Sequence, residues 1–341
     1  MKKSKKNRKK LYKNLEKLEN IEKAYFNVLK NINSFNNKKY LKINKSYYIG
    51  KIKKIIKNKE YKTGKKRKFY INESGKRREI YAQSLLDKMI NNLVALEILY
   101  KIIIDSLIDQ NIASRPFLGT KAGKNIFFKY IADSNFEWKK YYILKGDIHK
   151  FFESIDHDIL KQKLKKKIFD SEALKILFNI IDSDKKGLSL GSMTSQTLAI
   201  FYLNDFDHYI KESLKVKKYV RYQDDFLIFV KTKKEAKEIL EKIKKFLKKE
   251  KLELNKSTRI YSSSNNFKFI GITKKGKHVR SKNAISKINK KLKKYNKGEI
   301  SLGSILSTLS NYYFKIGNQI FKSNLIEKTK DKKGDKNGNK K

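Results

Sequence analysis

The chain has 341 residues, 84 of them Lys or Arg against 34 Asp or Glu, for a formal net charge of +50, yet 39% are hydrophobic and 12% aromatic. Enough apolar side chain for one large domain or two ordinary ones excludes wholesale disorder. The lack of cysteine excludes a disulfide framework, a thiolate zinc site and a cysteine nucleophile. His149, His157, His208 and His278 have no metal-ligand spacing, no stretch approaches ~18 consecutive apolar residues, and the lysine-crowded start lacks the apolar segment of a secretory signal. The expectation is a soluble, cytoplasmic protein with no membrane partner. A charge this large draws a polyanion by counterion release, and nucleic acid is the leading candidate. A solvated surface produced by compositional drift toward Lys, Asn and Ile is the competing explanation.

In chain order, residues 11–35 carry Leu15, Leu18, Ile21, Ala24, Tyr25, Val28, Leu29 and Ile32 at helical spacing. They predict an amphipathic helix behind a basic arm, in an N-terminal extension over 1–45. Residues 69–71 and 79–82 flank a turn at 72–75 and predict a hairpin, followed by a helix over 85–107. Residues 111–125, with Pro116, Gly119 and Gly123, read as loop. The apolar run 141–144 reads as a buried strand that ends on Lys145, Gly146 and Asp147, and Ser154 or Asp156 can cap a helix beginning near Ile159. A helix follows over 194–213, with Ser195 and Gln196 in its first turn. Runs 219–222 and 226–230 flank Gln223, Asp224 and Asp225 as a hairpin with two carboxylates at its tip. A helix over 234–249, a strand over 269–272 and a helix pair (283–295 and 301–317, joined at Lys297 and Gly298) complete the ordered part. Residues 328–341 are low-complexity and read as a disordered basic tail. No solenoid repeat is present, and the mixture predicts an α+β fold.

Three carboxylates thus stand at strand ends: Asp147, Asp224 and Asp225. Carboxylates from adjacent strands can clamp two magnesium ions ~4 Å apart for phosphoryl transfer. An ordinary Asp-rich turn is the alternative for the pair at 224–225.

The segment Tyr222, Gln223, Asp224, Asp225 resembles the Tyr-x-Asp-Asp box of reverse transcriptases. Residues 145–157 (KGDIHKFFESIDH) are similar to that family's first palm motif, and 188–203 (LSLGSMTSQTLAIFYL) to its next palm signature. Residues 268–271 (KFIG) resemble its primer-grip hairpin and 75–87 (GKRREIYAQSLLD) its fingers motif. The resemblance implies a right-hand polymerase fold, with fingers and an antiparallel-sheet palm over 46–272 and a helical thumb over 273–327. It implies that Asp147 and Asp224 hold two Mg2+ ions, helped by the Ile148 carbonyl, with Asp225 as accessory catalytic charge. It further implies that Phe152 strikes a ribose 2′-hydroxyl while Phe151 packs in the core. One or more of Lys76, Arg77 and Arg78, Arg78 first, would meet the triphosphate. Leu190, Gly191 and Gln196 would line the nucleotide site, and Phe269 and Gly271 the primer grip. Lys256 stands near the position of a later palm lysine, one residue short in spacing. Lys287, Lys290, Lys291 and Lys294 share a helical face, and Lys290 and Lys294 are candidates for duplex phosphates.

Leu190 before Gly191, with Ser195 and Gln196 closing the signature, resembles reverse transcriptases of diversity-generating retroelements, as do 202–210, 219–229 and 295–310. Asn311, Tyr312 and Tyr313 replace the subfamily's usual Gly-His pair, and Asn125 stands where a histidine is common. The resemblance implies copying of a template RNA into cDNA from deoxynucleoside triphosphates, with errors concentrated at adenines, for mutagenesis of a variable gene. It also implies a small basic helical accessory protein. A defence-associated or otherwise domesticated reverse transcriptase, and a non-catalytic RNA-binding protein, are the alternatives. A retron is disfavoured because neither Val-Thr-Gly nor Asn-Ala-x-x-His occurs.

Overall fold

A computed structural model describes residues 10–32, 34–73, 76–115, 118–274, 282–301 and 305. They belong to two units, Met1–Asn265 and Asn266–Lys341. Residues 1–9 of the basic arm, the tail and all but the first residue and Ile305 of the second expected thumb helix (301–317) lie outside the described residues.

The first unit opens with helices α1 (Tyr12–Glu16), α2 (Leu18–Asn31), α3 (Phe35–Ile43) and α4 (Lys45–Asn58). The single helix expected over 11–35 is interrupted, because Lys17 is extended (φ −69°, ψ 126°) and Ile32 leaves helical geometry again. Ile21, Ala24, Tyr25, Val28 and Leu29 form the buried stripe of α2, as the spacing predicts. Helices α3 and α4 are dense in lysine; Leu41, Ile49, Ile52 and Ile56 dock them on the core. Strands β1 (Arg67–Glu73) and β2 (Lys76–Ala82) form the expected hairpin, with Phe69 opposite Ile80.

Helix α5 (Leu85–Val94), capped by Ser84, passes through a π-helical turn at Ala95–Leu99 into α6 (Tyr100–Ile103) and a 3-10 turn. The expected helix over 85–107 is therefore segmented. The loop expected over 111–125 ends early: helix α7 (Thr120–Trp138) starts directly after Gly119 and includes Gly123, which is buried. A helix tolerates such a glycine at ~1 kcal/mol relative to alanine, and the turn signal at Gly123 was outweighed by packing of Phe127.

The central sheet is antiparallel, with strand order β4-β5-β3-β6 for β3 (Tyr142–Gly146), β4 (Lys218–Tyr222), β5 (Asp225–Val230) and β6 (Arg259–Ser262). Between β3 and β4 lie α8 (Phe151–Ser154), α9 (His157–Lys165), α10 (Ser171–Asp182), α11 (Met193–Tyr202) and α12 (Asn204–His208), and α13 (Lys233–Lys249) follows β5. Asp156 is the cap of α9, accepting from the amides of Asp158 and Ile159 at 3.1 and 3.0 Å. The helix expected over 194–213 is α11, α12 and a π-helical turn, Tyr209–Ser213.

Helices cover both faces of the sheet, which is why its strands read as continuous apolar runs. Phe226, Ile228 and Val230 share a cluster with Phe206, Ile239 and Ile243. Phe229, on the alternate face, stacks near Phe127, Tyr130 and Tyr141. Buried Ala236, Ile239, Ile243 and Leu247 give α13 its apolar stripe amid lysines.

In the second unit, the expected strand over 269–272 is instead a small hairpin, β7 (Lys268–Phe269) and β8 (Ile272–Thr273), turning at Ile270 and Gly271, both with positive φ. Helix α14 (Lys282–Asn296) occupies the first of the two expected thumb helices.

Candidate active site

Strand β3 pairs with β5 so that Gly146 faces Phe226. Continuing that register by one residue sets Asp147 across from Asp225, and the two-residue period of a strand puts Lys145 on the same face. Gly146 is required here: a Cβ would stand 2.1 Å from the Phe226 ring. The β4–β5 turn then brings Asp224 beside Asp147, through Gln223 in a left-handed conformation (φ 57°). All three carboxylates singled out in the sequence therefore converge at one end of the sheet.

Their environments differ. Asp225 accepts from the Lys145 ammonium at 2.6 Å, yet burial outweighs that partner and pushes its carboxyl up to about 6. Burial and then the charge of Asp147 push Asp224 up to about 6 as well. Among the described residues no Lys, Arg or His forms an ion pair with the carboxylates of Asp147 or Asp224. In a chain with an excess of fifty positive charges, two neighbouring carboxylates have no ion pair among the described residues.

The backbone around Asp147 is fixed from the other side. Ile148 bridges Leu254, the Asn255 amide donates to the Asp147 carbonyl at 2.7 Å, and the His149 amide donates to Glu253 at 2.8 Å. Lys256 is exposed in the turn that follows Asn255. No group of three or more His, Cys, Asp or Glu forms a ready-made metal cluster among the described residues. Asp147, Asp224 and the backbone at Ile148 supply oxygen donors only, a set that suits a hard cation such as magnesium rather than zinc. Mutual repulsion of the two carboxylates is what such a cation relieves.

Phe151 is buried and Phe152 half-buried, their rings 5.6 Å apart edge to face. The Phe152 carbonyl accepts from the Leu188 amide at 2.8 Å, which ties this turn to the loop carrying Leu190 and Gly191. Gly187 makes that approach possible, since a Cβ there would lie 2.4 Å from the Phe152 oxygen. Leu190 is half-buried, Gly191 is exposed at φ 109°, and Gln196 is exposed on α11.

That loop is held by residues the sequence reading passed over. Lys66 donates to Asp184 at 2.6 Å and to Ser189 at 3.0 Å. Ser192 caps α11, and a buried chain of polar contacts runs from Ser192 through Thr194 and Asn91 to Tyr61 and Asp87. Neither Lys66 nor Asn91 carries a local motif, so only their long-range partners reveal them. Arg78 lies on β2, opposite Ile71. Phe269 (buried), Gly271, Lys290 and Lys294 belong to the second unit, where both lysines are exposed on α14.

Comparison with known proteins bears on what this arrangement is. The family profile described as reverse transcriptase (RNA-dependent DNA polymerase) matches residues 56–274. No curated protein sequence matches the chain. Among solved structures, apo telomerase from Candida tropicalis truncated from its C-terminal domain is similar at 14% identity and TM-score 0.49, over 61% of this chain and 53% of that one. Telomerase from Candida albicans, in complex with a fragment of telomeric RNA, is similar at 13% identity and TM-score 0.47, over 64% of this chain and 45% of that one. The chain thus spans about half the length of the telomerase chains it resembles.

Proposed function

The chain belongs to the reverse transcriptase family, and on that premise we propose that it is an RNA-directed DNA polymerase whose reaction takes place at Asp147, Asp224 and Asp225. The observation that carries this reading is the pair of adjoining carboxylates at the end of β3 and the β4–β5 turn, with no ion pair to either among the described residues. Asp147 and Asp224, with the Ile148 carbonyl, would hold two magnesium ions, which when bound supply charge at the attacking and leaving oxygens. Asp225, tethered by Lys145, adds negative charge while its own geometry stays fixed. Phe152 would exclude a ribose 2′-hydroxyl, and Arg78 would pair with the triphosphate by charge-assisted hydrogen bonds. Leu190, Gly191 and Gln196 would face the nascent pair; Phe269 and Gly271 would grip the primer. Lys290 and Lys294 would meet duplex phosphates without regard to sequence.

The finer reading is a diversity-generating reverse transcriptase. Support comes from Leu190 where many relatives carry Gln: an apolar side chain cannot hydrogen-bond a misplaced polar edge, and one such contact is worth ~1–3 kcal/mol of discrimination. A small basic helical accessory protein would assist in binding the template RNA.

The test is primer extension by purified protein on an RNA template with deoxynucleotides and magnesium, followed by sequencing of the cDNA. Extension that stops on chelation supports the polymerase, and errors enriched at template adenines support the subfamily. Faithful cDNA would replace the subfamily by a domesticated reverse transcriptase. No extension by folded protein would leave only RNA binding.

A further inference from the structure

We infer that Arg221, together with the segment that crosses it at residues 110–114, is a positioning clamp for Asp224. The inference rests on the polymerase reading only for what Asp224 does; the clamp itself is a matter of geometry.

Gln223, the residue before Asp224, holds a left-handed backbone (φ 57°), a conformation uncommon for a residue with a Cβ. Two independent contacts hold it there. The Arg221 guanidinium donates through Nη1 to the Gln223 carbonyl at 2.7 Å, fixing its backbone. The Gln223 side-chain amide donates to the Ser114 hydroxyl at 2.9 Å, fixing the same residue through its side chain.

Arg221 can serve as an anchor because it is itself immobilised. It is wholly buried, and its Nε donates to Asp207 at 2.7 Å while Nη2 pairs with the second Asp207 oxygen. Asp207, also fully buried, accepts from the Tyr219 hydroxyl at 2.6 Å. The Arg221 backbone is gripped as well: its amide donates to the Gln110 carbonyl at 3.0 Å, and its carbonyl accepts from the Ile112 amide at 3.1 Å. Residues 110–112 thereby cover the free edge of β4, and Ser114 arrives two residues later.

A buried ion pair is weak evidence for stability, since well-packed apolar residues often serve as well or better. Its use here is directional. A planar guanidinium can bind a carboxylate on one side and a carbonyl on another in fixed geometry, whereas a lysine ammonium cannot hold both. Without a cation, the charges of Asp147 and Asp224 push the turn open, and the clamp opposes that motion.

Two variants of the full chain test it: Arg221→Lys, which keeps the charge and loses the fork, and Ser114→Ala, which removes only the contact to Gln223. The first readout is hydrogen exchange in chelator, with no metal present. The clamp predicts faster exchange confined to the amides of residues 223–225 at the turn, with the rest of β4 and β5 unchanged. The second is primer extension, with kcat lowered about tenfold or more and the KM for nucleotide changed less than about threefold, because misplacement of a reacting group acts on the bound complex. Ser114→Ala carries the test alone where Arg221→Lys does not fold. Turn amides that exchange as in the wild type, in folded variants, overturn the inference. A wild-type protein that protects the turn but extends no primer would sink the polymerase reading and leave the clamp standing.

Discussion

Substituting Gly146 by alanine tests the register on which the site depends. The added Cβ would lie 2.1, 2.5 and 2.7 Å from three atoms of the Phe226 ring. Carbon atoms pack at about 3.5–4.0 Å, so ring or strand must give by more than ~1 Å. The ring has little freedom: Phe226 is fully buried, 5.4 Å from Phe206 and 6.4 Å from Tyr219 between ring centres. Overpacking of this kind costs about 1–3 kcal/mol, and a confined ring places Gly146→Ala in the upper half of that range. Because Asp147 is the next residue, a shift of ~1 Å should also lower the extension rate by about 10²-fold. Urea unfolding reads the first effect as a lower midpoint at unchanged slope, and primer extension reads the second. Phe226→Leu in the Gly146→Ala background should recover ~1 kcal/mol or more relative to the sum of the single changes. Strict additivity, or a Gly146→Ala protein as stable and active as wild type, would refute the pairing of Gly146 with Phe226.

Asp147→Ala and Asp224→Ala should each abolish extension, while RNA affinity measured by filter binding stays within about threefold, since affinity arises from dispersed Lys and Arg. Residual extension by the double variant would remove the assignment. Phe152→Ala should raise ribonucleotide incorporation in primer extension; an unchanged ribo-to-deoxy ratio would move the gate to Phe151 or elsewhere. Charge reversal at Lys290 and Lys294 should shorten products, more at low salt than high, and unchanged processivity across salt would make this a solvated lysine face. Leu190→Gln should lower misincorporation opposite template adenine more than opposite the other bases; a destabilised protein with an unchanged error spectrum would reduce Leu190 to packing.

Elements with a strong period or a short turn were legible in the sequence. The β1–β2 and β4–β5 hairpins, β3 and α13 lie where alternation and apolar runs put them, within a few residues. What was not legible depends on partners far along the chain. Glycines at 119 and 123 signal a loop, but α7 forms because Phe127 and Tyr130 pack on Phe229 of the sheet, a contact no local window contains. The break at Lys17 is likewise invisible, since nothing in its neighbours forbids a helix. Helices α3 and α4 show only a sparse apolar stripe in a lysine-rich background, which periodicity reads weakly.

The site divides in the same way, and the division has a physical reason. Asp147, Asp224 and Asp225, the candidate site, could be found because they stand at strand ends in short, compact motifs. The residues that hold them could not. Lys145 was visible as the polar end of a strand, but its role follows only from sharing a face with Asp225 across the β3–β5 register. Arg221 looked like another basic residue in a chain full of them, and only its complete burial against Asp207 sets it apart. Charge counting even points the wrong way here. An excess of fifty positive charges predicts that any carboxylate has a lysine within reach, and Asp207, Asp225, Asp184 and Asp205 do have basic partners. Among the described residues Asp147 and Asp224 have no ion pair, and neither do the buried Asp87 and Asp170. Those two accept from hydroxyl and backbone N–H donors, whereas Asp147 and Asp224 are set side by side by backbone bonds on one side and a guanidinium-held turn on the other. On the polymerase reading, a turn that keeps these two carboxylates adjacent, with no ion pair to either among the described residues, would suit a cation bound between them.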